Sequence, residues 1–215
     1  MKSKLGWIWI VFIGVVAAST DCLAGPPAKG LTEVEAALRT RQVTHLAYQI
    51  SLKLDPARED FEATTVFTFD FDKKVKSDGL FAELEEAHIK ELRNGINLLS
   101  KEQIGAHYDG HRIRFASEEL KPKGNRIEVV YSRAYVNNGN GLHRFKDVAD
   151  GNFYHFNHFE AYYAHLVFPC FDQPDLKAQF KLKVEAPKDW EVISSAPVEN
   201  TRSQDGTKTQ WQPLK

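Results

Sequence analysis

The chain has 215 residues, with 28 basic and 29 acidic side chains and a net charge of −1. This balance argues against nucleic acid or an anionic membrane as the main partner, since both select a basic surface. Hydrophobic residues at 42% and charged residues at 27% are ordinary for a folded protein, and the length suits one sizeable domain.

The N-terminus stands apart. Lys2 and Lys4 precede an apolar run over 5–18. That run is shorter than the roughly 20 residues needed to span a bilayer. A basic start, a short apolar core and small residues near Ala24 read as a secretory signal over 1–24, cleaved after Ala24. The protein is then exported, to the periplasm or the extracellular space, with no stable membrane span. Lipidation at Cys22 competes with this reading, although Asp21 is a poor fit to the small residue a lipobox wants. A membrane anchor left uncleaved is the third alternative.

Residues 25–30 are rich in Pro and Gly and read as a flexible mature terminus. The folded domain is then 31–215. Thr32 and Glu35 have the spacing of a capping box and predict a short helix to about residue 41, with a packing role. From Leu46 the period changes to two. Tyr48, Ile50, Leu52 and Leu54 alternate with polar residues, and Asp55-Pro56 ends the strand. Phe67, Phe69 and Phe71 mark a second strand. Segments 80–85, 111–115 and 126–132 are shorter strands, separated by turn signals at 77–79, 93–95, 109–110 and 122–125. Phe180, Leu182, Val184 and Ala186 alternate again. Segments 190–194 and 207–211 complete the set, with Asp205-Gly206 as a hairpin turn. Many short alternating strands mean an all-β fold, an antiparallel β-sandwich or saddle-shaped sheet, with one short N-terminal helix after the signal segment.

The most distinctive stretch runs from Asn152 to Phe180. It is dense in aromatics, and Glu160 sits among them. A carboxylate in aromatic surroundings is costly to leave unpaired. Residue chemistry leaves two partners open, an ammonium-bearing ligand or a nearby arginine such as Arg144. The segment 168–175 carries two prolines and reads as a rigid turn, with Asp172 and Asp175 capping it. With the signal removed, Cys170 is alone, so no internal disulfide is expected. Its apolar neighbours make it a small buried hydrophobe rather than a nucleophile. The eight histidines include no HExxH. His155 and His158 lie three apart in extended chain and point to opposite faces. His158 and Glu160 can share a face, but two ligands do not make a metal site. No serine stands in a nucleophile elbow. No catalytic residue and no metal site are therefore expected within the chain.

The motif FPCFDQPDLKAQF, preceded by Phe159-Glu160 and by the loop Gly139-Asn140-Gly141-Leu142-His143-Arg144-Phe145, resembles the N-terminal domain of the aminopeptidase N family of zinc metallopeptidases. The resemblance runs from about Leu31 to the last residue and does not reach the family's catalytic domain. It implies that Glu160 holds the free α-ammonium of a peptide substrate. It also implies that His158 lines the pocket for the first side chain, where the family usually has glutamine. Asn157 and Ala161-Tyr162-Tyr163 also depart from the family pattern. The glycines of the 139–141 loop imply tight approach, and Arg144 a structural role. Residues 211–215 resemble the lead-in to a last strand that the chain lacks. The resemblance implies a truncated or split exported aminopeptidase that is inactive alone, with zinc expected only in the missing catalytic domain. Its partners would be peptide N-termini and a separately encoded catalytic domain. The alternative is a non-catalytic exported module that docks peptides or another chain.

Overall fold

The computed structural model describes residues 30–214. The signal over 1–24, Cys22 and all of the mature terminus before Gly30 lie outside the described residues. Helix α1 (Glu33–Gln42) starts as its sequence demands. The Thr32 hydroxyl accepts from the Glu35 N–H, and the Glu35 carboxylate accepts from the Thr32 N–H at 2.9 Å. The chain passes directly into β1 (Val43–Lys53) and turns into β2 (Asp60–Phe71). Then follow β3 (Gly79–Glu83), β4 (His88–Asn94), β5 (Asn97–Leu98), α2 (Lys101–His107) and β6 (Arg112–Ala116). The rest is β7 (Asn125–Ala134), β8 (Gly141–Lys146), β9 (Phe153–His158), β10 (Gln179–Pro187), β11 (Asn200–Gln204) and β12 (Thr207–Leu214).

The fold is mostly β, as expected. Eight strands form one sheet in the order β11-β12-β10-β1-β2-β7-β4-β5. Its pairs are antiparallel except β1–β10, which run parallel with Ala47 opposite Gln179 and Lys53 opposite Glu185. Two hairpin-like pairs, β3–β6 and β8–β9, lie outside that sheet. The core sits on the alternating inward residues of β2 and β7. Phe61, Phe67, Phe69, Phe71, Ile127, Val129 and Tyr131 are all buried. Burying each such side chain contributes about 1.5–3 kcal/mol. Phe171 closes the cluster with its ring edge on to Phe67 and Phe69, at 5.8 and 5.4 Å.

One local expectation changes, and two elements, β4 and α2, were not anticipated. The segment 190–194 is irregular rather than a strand. The Trp190 and Val192 carbonyls are taken by the side chains of Lys208 and Gln210, not by a ladder. Strand β4 carries a register shift between Ile89 and Glu91, which breaks the alternation that would have announced it. Helix α2 buries no side chain, so it has no apolar stripe. Its Ser100–Gln103 capping box is the only signal it gives.

The glycine loop behaves as its sequence implies. Gly141 has φ +64°, and a Cβ there would lie 2.7 Å from Leu166 Cβ. Gly141→Ala therefore meets both backbone strain and a clash. A loss of about 1–3 kcal/mol is expected in urea unfolding, against no more than a few tenths for an alanine at an open exposed position.

Candidate functional site

The turn over 168–175 is built from the bottom by buried polar groups. Glu83 and Cys170 exchange backbone hydrogen bonds at 2.8 and 3.0 Å. The Phe171 N–H donates to the Tyr48 hydroxyl at 2.9 Å, and the Asp172 N–H to Glu83 Oε2 at 3.2 Å. Arg39 of α1 completes the arrangement. Its Nη1 donates to both Glu83 oxygens at 2.8 and 2.7 Å, and its Nε to Gln173 Oε1. Arg39 and Glu83 are only 1% and 2% exposed. Gln173 Nε2 then donates to the Ala36 carbonyl, the Thr40 hydroxyl and Asp175 Oδ1. Burial pushes the Glu83 carboxyl up, and the Arg39 guanidinium opposes that shift. Helix α1 thus does more than pack. It supplies the cation that makes the Glu83 carboxylate tolerable in the core.

The carboxylates of the turn are structural, as expected. Asp172 Oδ2 accepts from the His165 N–H at 3.1 Å and lies 2.7 Å from His165 Nδ1. Asp175 accepts from the Thr40 hydroxyl. Cys170 is buried, and its thiol is pushed up by burial, so it is no nucleophile.

The β8–β9 hairpin carries the sequence-predicted site. Its register sets His143 opposite Phe156 and Phe145 opposite Tyr154. These four rings share the outer face, with His143–Phe156 centroids 4.6 Å apart and Phe145–Tyr154 stacked at 5.5 Å. Phe145, Tyr154 and Phe156 are 40%, 44% and 46% exposed. His158 ends β9 on that face by alternation. It is exposed, and its ring centroid lies 6.1 Å from that of Tyr163. Glu160 begins the turn that follows.

Glu160 is exposed, and among the described residues none bonds its carboxylate. This corrects the premise that aromatic burial forces a partner upon it. The neighbouring rings turn elsewhere, Phe159 on to Phe168 and Tyr162 on to His165. The internal alternative is not formed either. Arg144 Nη1 donates to both Glu59 carboxylate oxygens at 3.1 Å, and its Nη2 to the Pro56 carbonyl at 2.7 Å. The guanidinium carbon of Arg144 lies 4.0 Å from the Phe153 ring centroid. Arg144 is thus structural.

His155 and His158 point to opposite faces. The His155 ring packs between Tyr135 and Trp190, with centroids 4.7 Å away on each side. Both its nitrogens are buried with no hydrogen-bond partner. Among the described residues, no three His, Cys, Asp or Glu side chains come together as metal ligands. The sequence reading missed Arg39, Glu83 and Gln173. Gln173 lies within the recognised motif, but Arg39 and Glu83 carry no spacing signal that points from one to the other.

Two predictions follow from these environments. Arg39→Met leaves Glu83 buried without its counter-ion, so a loss of about 3–5 kcal/mol is expected in urea unfolding. Adding Glu83→Leu removes the stranded charge and recovers part of that loss. The second concerns His155, held neutral mainly by burial, with its pKa lowered from 6.5 to about 4. The unfolded chain binds the proton more readily, so stability falls as pH drops from 6.5 towards 4 and levels off below. His155→Phe is expected to flatten that part of the slope, measured as denaturant midpoints across the window.

Comparison with known proteins agrees with the architecture. Residues 44–213 match the family model described as the peptidase M1 N-terminal domain. "Aminopeptidase N" of Streptomyces lividans is 36% identical over 171 residues, which cover 80% of this chain and 19% of that protein. "Probable aminopeptidase 1" of Sulfurisphaera tokodaii is 31% identical over 142 residues, 63% of this chain and 16% of that protein. The chain thus spans under a fifth of the length of these relatives. The M1 zinc metallopeptidase of Deinococcus radiodurans superposes with a TM-score of 0.64 at 15% identity, over 80% of this chain and 39% of that one. A two-domain M1 zinc metallopeptidase bound to L-arginine gives 0.65 at 15% identity, over 81% of this chain and 40% of that one. At such identity these structures speak for the fold alone.

Proposed function

From the premise that this chain belongs to the peptidase M1 N-terminal domain family, we propose that it serves an exported aminopeptidase by receiving the free α-amine of a peptide at Glu160. The observation that carries this reading is the state of that side chain. Its carboxylate is exposed and unbonded among the described residues, at the start of a turn that leads into the clamped 168–175 segment. A carboxylate makes short, charge-assisted hydrogen bonds to an ammonium. An acetylated peptide offers no such charge, so the discrimination is by a missing partner. Related M1 metallopeptidases of known structure bind a Tyr-Ser-Ala substrate, L-arginine or L-tryptophan, and each of these carries a free α-amine. His158 stands two residues earlier on the exposed face and lines the pocket for the first side chain. Its imidazole both donates and accepts.

In M1 peptidases the zinc belongs to the catalytic domain. The described residues here do not fit it, with no HExxH in the sequence and no cluster of ligands. Water activation by the metal is therefore supplied outside residues 30–214. This chain's part is to fix where the amine sits. Export over the 1–24 signal, and a separately encoded catalytic partner, belong to the same proposal.

The test is a titration of the purified chain, followed by NMR. A free-amine peptide is expected to shift the Glu160 side-chain signals, and its acetylated twin is not. Glu160→Gln should abolish the difference. Equal shifts from both peptides would remove Glu160 from amine recognition.

A further inference from the structure

We propose that this chain takes up an extended peptide strand, apolar at alternate residues and cationic at one end, which adds to the open edge of β9. The site is separate from Glu160 and His158, neither of which lines it.

A cleft of about 970 Å³ lies between β9 and one face of the large sheet. Its apolar lining includes Ile50 and Leu52 of β1 with Leu182 and Val184 of β10, and Trp190 and Val192 line it as well. Residues 153–157 of β9 line it too, among others.

The direction of the β9 backbone follows from its partner. The Val136 N–H donates to the Leu142 carbonyl at 3.1 Å, and the Arg144 N–H to the Val136 carbonyl at 2.9 Å. Leu142 and Arg144 of β8 therefore aim their main-chain groups away from β9. Opposite them stand Asn157 and His155. In an antiparallel pair, such residues aim their own N–H and C=O groups away from the partner strand too. So β9 turns two donors and two acceptors outward, and they have no protein partner among the described residues. The two residues lie about 6.6 Å apart along the strand, the repeat at which another strand presents its own groups.

These features select the occupant. A helix spends its backbone groups internally, and a lipid chain has none to offer. An extended peptide pairs with the edge and sets alternate side chains on the apolar wall. Charge selects further. Apart from His155 and Tyr154, the ionisable side chains lining the cleft are Asp189 and Glu191, two residues apart and both exposed, and no Lys or Arg lines it. A cationic group at that rim meets two carboxylates and no competing cation. An open strand edge beside apolar surface also invites pairing.

The test uses the full chain, labelled with nitrogen-15. The probe is a heptapeptide amide of Lys followed by alternating Val and Thr. One twin is N-methylated at the residues that face β9, and another replaces Lys with Glu. The parent peptide is expected to shift the His155 and Asn157 amides and slow their exchange with solvent. The methylated twin should bind about tenfold more weakly or worse, since it loses its backbone donors. The Glu twin should also bind more weakly. Asn157→Pro deletes one outward N–H and spares the β8 ladder, as an edge position tolerates. It should reproduce the tenfold loss with an unchanged far-ultraviolet spectrum. Three outcomes would overturn the proposal. One is unprotected amides at saturation. Another is equal binding of the methylated twin. The third is protection that rises with protein concentration without peptide, which would make the edge an interface between copies of this chain.

Discussion

One buried ion pair holds the 168–175 turn of this domain in place. Arg39 and Glu83 lie in the core, and neither is tolerable there without the other. Their geometry ties three remote pieces of chain together. Arg39 comes from α1, Glu83 from β3, and both reach the 168–175 turn, through Gln173 and the Asp172 N–H. Phe81 and Phe171 stand 4.9 and 5.4 Å from the guanidinium carbon of Arg39 and keep water from it. A second link runs parallel. Glu35 of the same helix pairs with Arg112 of β6 at 2.6 Å, and Arg112 lies over Phe81. The helix is thus bolted to the β3–β6 pair at one end and to the turn at the other.

That arrangement explains why a rigid turn is wanted at all. The chain leaves β9 at His158, passes Glu160, and must return to the large sheet as β10. It enters that sheet parallel to β1, so the connection crosses from one layer to another instead of closing a hairpin. Two prolines restrict the crossing segment, and Tyr48 on β1 accepts from it directly. The crossing segment is thus anchored at Phe171, Asp172 and Gln173, and Glu160 lies upstream of it, exposed.

The alternating pattern of β1, β2, β7 and β10 was legible because one face of each packs on the core. The capping box of α1 was legible for a local reason too, since its partners are three residues apart. What escaped was non-local or irregular. Arg39 is an ordinary helix residue in sequence, and only the approach of β3 turns it into a core group. Strand β4 hides behind a bulge, and α2 behind the lack of a buried face. Glu160 misled for a related reason. Aromatic neighbours in sequence were taken as aromatic neighbours in space, but in the fold those rings pack on Phe168 and His165 and leave the carboxylate outside.

The exposure of Glu160 sets how strongly it can act. Opposite unit charges 4 Å apart attract by about 1 kcal/mol in water, and by about 4 kcal/mol at an effective dielectric near 20. On the surface of residues 30–214 the first figure applies, and salt weakens it further. An ion pair at Glu160 on this surface is therefore weak, and it would strengthen only where a covering surface lowered the local dielectric. The outer face of the hairpin is suited to being covered. His143, Phe145, Tyr154 and Phe156 form a contiguous aromatic patch on the strand that leads to Glu160, and such a patch is costly to leave in water.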